Sequence, residues 1–202
     1  MGESSLGDQR WLPKRPVYHS AAFKRQVRTV HEFQDAATIR PLEPRDFATV
    51  AALARTIWLA HYTTMITQAQ IEYMLGGRFA PENLRRYLGA HDRWMDVLEA
   101  AHGLIGYCSY ALTPAPGELK LEQLYLLPDL HGRGLGKRML DHVERRAAEL
   151  GCRVLVLQVN KRNEKAIKAY RRAAFSVREE VVVDIGQGYV MDDYIMEKRL
   201  DA

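Results

Sequence analysis

Three glycines at every second position, Gly132, Gly134 and Gly136, sit in the run HGRGLGKR, among the cations Arg133, Lys137 and Arg138. A turn of this composition at the start of a helix can hold phosphate. The first backbone N–H groups of a helix are unpaired and carry partial positive charge. Glycine removes the side chains that would keep an anion away from them and permits positive φ. The flanking sequence supplies the elements this chemistry needs. Residues 119–127 are rich in Leu, with Tyr125, and read as a buried strand that Pro128 ends. From Leu135 the apolar residues Leu135, Met139, Leu140, Val143, Ala147 and Leu150 fall on one helical face, and Gly151 follows where a helix stops. Residues 131–137 therefore read as a pyrophosphate cradle. A Walker loop, G-x-x-x-x-G-K-S/T, would need Gly at His131 and Ser or Thr at Arg138. A dinucleotide fingerprint, G-x-G-x-x-G, would need Gly at Lys137 or Met139.

The second stretch with chemical content is QVNKRNEKAIKAYRRAAF, Gln158 to Phe175. Asn163 can cap the helix that follows through its own side chain. Tyr170 lies two helical turns on, on the face of Asn163 and Ile167. Its ring can simply pack there.

Together the two stretches resemble the GNAT superfamily of N-acetyltransferases. HGRGLG resembles the family's coenzyme A pyrophosphate loop, Q/R-x-x-G-x-G/A, with His131 where Gln or Arg is usual. Residues 163–175 resemble its N-x-x-A-x-x-x-Y-x-x-x-G-F signature, with Ala174 in place of Gly. If that position needs positive φ, Ala174 is strained there. The resemblance implies an α/β (α+β) fold: a mixed, mostly antiparallel central sheet of about six to seven strands flanked by helices, splayed between its fourth and fifth strands. It implies acetyl-CoA as co-substrate, held by the backbone of Leu124, Tyr125 and Leu126, by His131, Gly132, Arg133, Gly134, Leu135, Gly136 and Lys137, and by Asn163 and Tyr170. It further implies that the Tyr170 hydroxyl protonates the departing thiolate.

Acetylating an amine also requires removing a proton from it, since an aliphatic amine with a pKa of roughly 10 is mostly charged near neutral pH. Glu122 is the candidate base, at a position similar to the base of several polyamine and histone acetyltransferases of the family. The alternative is a Glu paired with Lys120 or a nearby Arg. Unless a bulge intervenes, Glu122, Leu124 and Leu126 share one face of the strand, although the alternation slips near Gln123 in the manner of a β-bulge. Gln158 stands where some relatives carry a catalytic Glu, and a neutral amide cannot act as a base. Trp58 and Tyr62, with Glu122, are the expected substrate-binding residues, the alternative being that the aromatics fill core. No cysteine is placed as a nucleophile, which leaves direct transfer in a ternary complex. The expected acceptor is a small amine or polyamine, with protein N-terminal or lysine acetylation as the alternative. A non-catalytic acyl-CoA sensor or interaction module is the reading from another class.

The remaining elements must position these groups. Thr38–Leu42 reads as a strand. Pro44 opens a helix with Phe47, Val50, Leu53 and Ile57 inward, and Trp58–Met65 follows as a segment able to line a pocket. A second helix starts at Thr67 and breaks at Gly76-Gly77, and residues 81–88 form a third helical piece. Residues 93–100 and 104–112 form an antiparallel hairpin, residues 154–159 a strand buried on both faces, and residues 177–185 and 189–198 a closing pair.

The 202 residues, 47% of them hydrophobic, suit one domain over residues 37–202 preceded by an extension over residues 1–36. Arg10, Lys14, Arg15, Lys24, Arg25 and Arg28 against Glu3 and Asp8 place the whole formal charge of +4 in the first thirty residues. Trp11, Tyr18 and Phe23 suggest that part of this partly flexible arm docks. Nucleic acid is not the expected partner. Two cysteines, Cys108 and Cys152, in apolar surroundings read as buried free thiols rather than a disulfide framework. No run is long enough to span a membrane and no signal segment is evident, so a cytoplasmic protein without a metal is expected. A homodimer is expected by analogy with the family.

Overall fold

The computed structural model describes residues 37–200, and the basic arm with Trp11, Tyr18 and Phe23 lies outside the described residues. In chain order the elements are β1 (Thr38–Pro41), a 3-10 turn (Pro44–Asp46), α1 (Phe47–Tyr62), α2 (Gln68–Leu75), α3 (Pro81–Arg85), β2 (Arg93–Ala100), β3 (Gly103–Leu112) and β4 (Glu118–Leu126). A second 3-10 turn (Pro128–Leu130), α4 (Leu135–Glu149), β5 (Val154–Asn160), α5 (Glu164–Arg172), β6 (Ser176–Gly186) and β7 (Tyr189–Arg199) complete the chain. The expected elements are therefore present. The first helix runs further than expected, through Tyr62, so Trp58, His61 and Tyr62 project from its last turns rather than from a loop.

The strands form one seven-stranded sheet in the order β1-β2-β3-β4-β5-β7-β6. Every neighbour pair is antiparallel except β4–β5. That parallel pairing ends at Leu121 opposite Leu157, although β4 continues to Leu126 and β5 to Asn160. The two strands diverge there, leaving the backbone of Leu124, Tyr125 and Leu126 with no partner on the β5 side. This is the splay that the resemblance implied.

The register slip lies one residue before Gln123. Tyr110 pairs with Leu121 and Ser109 with Gln123, so Glu122 is the extra residue of a β-bulge. Beyond it the faces are exchanged. Gln123 and Tyr125 lie opposite Ser109 and Tyr107, on the face whose Tyr107 hydroxyl receives the Trp58 indole of α1 at 3.2 Å. Leu124 and Leu126 lie opposite Cys108 and Gly106, on the α4 face, where a Cβ on Gly106 would meet Met139 Sδ at 3.4 Å. The bulge expected near Gln123 is therefore present, and Glu122 does not share a face with Leu124 and Leu126, because one inserted residue reverses an alternation of period two.

The core lies on both sides of β3 and β4. α4 buries Leu135, Met139, Leu140, Val143 and Ala147 as its periodicity predicts, and each large apolar side chain so covered contributes about 1.5–3 kcal/mol. α1 buries Val50, Leu53, Ala54, Ile57 and Trp58 from the other side. Cys108 and Cys152 are free and buried. Ala174 adopts the left-handed region with φ 69°, so the strain expected of a non-glycine residue there is present.

Candidate active site

The gap between the diverging ends of β4 and β5 opens into a cleft of about 1450 Å³. Its glycine end is built by the turn before α4. Gly134 is the residue that starts the helix, at φ +78°, a conformation that side-chain-bearing residues rarely adopt. Gly132 and Gly136 line the cleft, and a Cβ on either would meet nothing within 4 Å on the protein, so their backbone faces open space. Lys137, in the turn, and Lys165, which contacts His131, line the cleft there, and Arg172 lines it as well. Leu135 is buried beneath the turn, which leaves only its backbone for a ligand. Arg133, Gly134 and Leu135 belong to the turn but are not among the residues lining the cleft.

His131 ties this turn to the strand. Its Nε2 lies 3.1 Å from the Leu126 carbonyl, and its Nδ1 lies 3.1 Å from Lys165 Nζ. An ammonium only donates, so Nδ1 accepts and the ring carries its proton on Nε2. Burial lowers the His131 pKa, which favours this neutral ring. Asn163 caps α5 as expected, its Oδ1 accepting from the Ala166 N–H at 3.2 Å. Its Nδ2 then donates to His61 Nε2 at 3.0 Å. His61 is likewise shifted down, by burial first and then by the charges of His131 and Lys165.

The middle of the cleft is aromatic. Trp58 lies 5.1 Å from Tyr62 and 5.6 Å from Tyr125 between ring centroids, and the Tyr62 and Tyr125 hydroxyls are 2.8 Å apart. Both sequence readings of these residues apply, because Trp58 and Tyr62 pack within the cluster and line the cleft as well. Tyr170 leans on Phe175 at 5.7 Å and lines the cleft opposite. Burial pushes its pKa well above that of a free phenol, so the hydroxyl stays protonated through neutral pH.

At the far end stands Glu122, exposed on its bulge. Its Oε2 receives the Tyr87 hydroxyl at 3.3 Å and the Ser109 hydroxyl at 3.5 Å. The alternative pairing with Lys120 is not made, since Lys120 Nζ donates to Gln158 Oε1 at 3.5 Å. Gln158 Nε2 donates in turn to Asp193 Oδ2 at 2.9 Å, and Asn160 Nδ2 to Asp193 Oδ1 at 3.1 Å. Asp193 is buried, which raises its pKa against the two amide hydrogen bonds that lower it. Beside Glu122, the buried Gln123 leaves its Oε1 without a partner among the described residues.

The profile of the acetyltransferase (GNAT) family matches residues 62–175, more than half of the chain. The chain belongs to the GNAT acetyltransferase family. It is accordingly an acyltransferase. The curated relatives of this GNAT protein include a spermidine N(1)-acetyltransferase of Thermoplasma acidophilum, 25% identical over 168 residues, covering 81% of this chain and 98% of the relative. An uncharacterised N-acetyltransferase of Mycobacterium tuberculosis is 26% identical over 134 residues, covering 60% of this chain and 85% of its own. Among solved structures, the PaiA N-acetyltransferase of Thermoplasma acidophilum in complex with coenzyme A superposes with a TM-score of 0.69 at 24% identity, covering 81% of this chain and 98% of that one. The spermidine N-acetyltransferase of Vibrio cholerae with CoA and spermine gives 0.63 at 18% identity, covering 82% and 96%. At these identities the structures establish the fold of the GNAT protein.

The fold brings Trp58, Tyr62, Glu122, Leu124, Tyr125, Leu126, His131, Gly132, Gly136, Lys137, Asn163 and Tyr170 to one cleft. Sequence reasoning missed Arg78, Tyr87, Asn160, Lys165 and Asp193, which line it too. Arg78, Tyr87 and Asp193 belong to no motif, and Lys165 and Asn160 lie within the Gln158–Phe175 stretch, Lys165 at a variable position of its signature. Asp193 and Tyr87 had no local signal at all, since their partners lie 33 or 35 residues away along the chain.

Proposed function

We propose that this protein transfers an acetyl group from acetyl-CoA to a primary amine by direct attack in a ternary complex, with a small amine as acceptor. The observation that carries the reading is the free edge of β4 at Leu124–Leu126, which has the open glycine turn at one end and Glu122 at the other. The residues present fit coenzyme A. Gly132 and Gly136 offer open backbone, Lys137 and Lys165 offer positive charge for phosphates, and the β4 edge offers backbone groups that β5 leaves unpaired, the Leu126 carbonyl excepted, which His131 occupies. Acetyl-CoA supplies an activated thioester when bound. The chain's own groups do the rest. Glu122 takes the proton of the acceptor ammonium, and the aromatic cluster of Trp58, Tyr62 and Tyr125 excludes water from the reacting centre. A backbone amide of Leu124–Leu126 polarises the acyl carbonyl. Tyr170, kept protonated by its burial, gives its proton to the departing thiolate.

The small-amine class draws support from the spermidine-acetylating relative. Coenzyme A thiol release, measured over polyamines, aminoglycosides, amino acids and short peptides, tests the reading. An amine that accelerates release in the native protein, and far less in Glu122→Gln and Tyr170→Phe, supports both roles. Equal release in all three proteins rejects the two assignments, and a preference for oligopeptides over free amines rejects the small-amine class. The exposed Val182 and Val190 on the β6–β7 hairpin support a homodimer through these strands, which a monomer in sedimentation at micromolar concentration would reject.

A further inference from the structure

The acceptor end of the cleft is richer in positive than in negative charge. Arg78, Arg86, Arg93 and Lys120 line it against Glu122 and Asp193. Two of the four cations are engaged: Arg93 pairs with Asp92 at 2.8 Å, and Lys120 donates to Gln158. Arg78 differs. Among the described residues neither it nor Arg86 makes an ion pair, but of the four only Arg78 lies over an aromatic ring, its guanidinium 5.8 Å from the Trp58 centroid. Its backbone is held from both sides. The Gly77 carbonyl before it receives the Asn83 amide, and Phe79 after it is buried edge-on against Tyr107 at 5.7 Å.

The charge so placed sits within electrostatic reach of the Tyr62, Tyr87, Tyr107 and Tyr125 hydroxyls. Tyr87 in turn donates to Glu122. Arg78, Tyr87 and the proposed base thus line one cleft. An arginine attracted to an aromatic face keeps its N–H donors for other partners, and those donors match a carboxylate two at a time. A polyamine entering the same space meets like charge.

We propose that Arg78 binds a carboxylate of the acceptor, so that the acetylated amine belongs to an amino-acid-like molecule rather than to a free polyamine. This rests on the transferase reading above and names the substrate class of the same cleft. Amino acids and their decarboxylated counterparts test it as matched pairs: lysine with cadaverine, methionine with 3-(methylthio)propylamine, and phenylalanine with phenethylamine. Binding to the protein in complex with CoA is measured by calorimetry for the native protein, Arg78→Gln and Arg78→Lys. In at least one pair the acid binds about tenfold or more tightly, Arg78→Gln levels the pair, and Arg78→Lys restores part of the preference. CoA affinity and thermal unfolding stay unchanged, since Arg78 is exposed. Amines that bind as well as their acids in every pair overturn the proposal. A preference that survives Arg78→Gln does the same. Turnover is read separately. Acid-selective, Arg78-dependent binding without acetylation retires the transferase reading and keeps the role of Arg78. Acetylation that favours the amines does the reverse.

Discussion

Two buried carboxylates of nearly equal exposure serve opposite sides of this sheet. Asp96, 6% exposed on the α4 face, receives the Tyr110 hydroxyl and the His142 ring, each at 2.7 Å. Asp193, 4% exposed beside the cleft, receives two neutral amides at 2.9 and 3.1 Å, and Gln123, 5% exposed and also lining the cleft, leaves its carbonyl oxygen unbonded among the described residues. On the α4 face the polar groups close on one another and tie β2 and β3 to the helix. On the cleft side they end in open groups. Burial alone therefore does not mark a functional group in this protein. What separates the two sides is that the cleft side leaves one buried polar atom, Gln123 Oε1, unpaired among the described residues.

The contrast makes cleft variants lose rate and keep stability, and α4-face variants do the opposite. Glu122→Gln is expected to lower kcat/KM by about 100-fold or more, the usual worth of a positioned base, with acetyl-CoA binding and urea unfolding unchanged. A loss below tenfold would move the base elsewhere. Asp96→Ala is expected to cost about 2–4 kcal/mol in urea unfolding, because the Tyr110 hydroxyl and the His142 ring are left without their acceptor. Activity per folded molecule should stay within about twofold, and a large loss would erase the distinction between the two faces. Tyr170→Phe should lower kcat about tenfold or more and by the same factor from pH 6 to 9, since burial holds the hydroxyl protonated throughout. Gln123→Leu removes a buried oxygen that has no partner and should change stability by about 1 kcal/mol or less, in the stabilising direction if either. A cost like that of Asp96→Ala would mean that Gln123 is as fully bonded as Asp96.

The smallest effect is a pH dependence at the glycine turn. Burial lowers the His131 and His61 pKa values in the folded protein. The unfolded chain therefore binds more protons just below the ordinary histidine value of about 6.5, and stability rises with pH through that window and falls as pH drops through it. Charging His131 would also set it against Lys165, whose ammonium now donates to its Nδ1. Thermal unfolding between pH 7.5 and 5 should show the decline, and His131→Gln should flatten it. An unchanged slope in that variant would assign the effect to other groups.

Local signals proved reliable where the physics is local. The apolar period of α4 named its buried residues, Asn163 was recognisable as a cap, and the alternation slip near Gln123 announced a bulge. Ala174 was recognisable as a misfit and does occupy the left-handed region. The slip did not say which residue was extra. That residue is Glu122, and its insertion turned Gln123 and Tyr125 toward the cleft and Leu124 and Leu126 toward α4. Trp58 and Tyr62 were flagged as pocket or core, a choice that only their neighbours across the sheet could settle.

By itself the sequence determined the glycine turn, the helix it opens, the capped helix with Tyr170 and the presence of a carboxylate on the central strand. Each depends on interactions within a few residues, where backbone geometry and side-chain period leave few solutions. Tertiary structure alone decided that Asp193 stands against Gln158 and Asn160, that Tyr87 reaches Glu122, and that Arg78 lies over Trp58. The first contact follows from placing β7 beside β5, and the other two from packing the helical segment of residues 47–88 against β3 and β4. Strand order and splay are set by the packing of the whole core on both faces of the sheet, so no short stretch of sequence carries them.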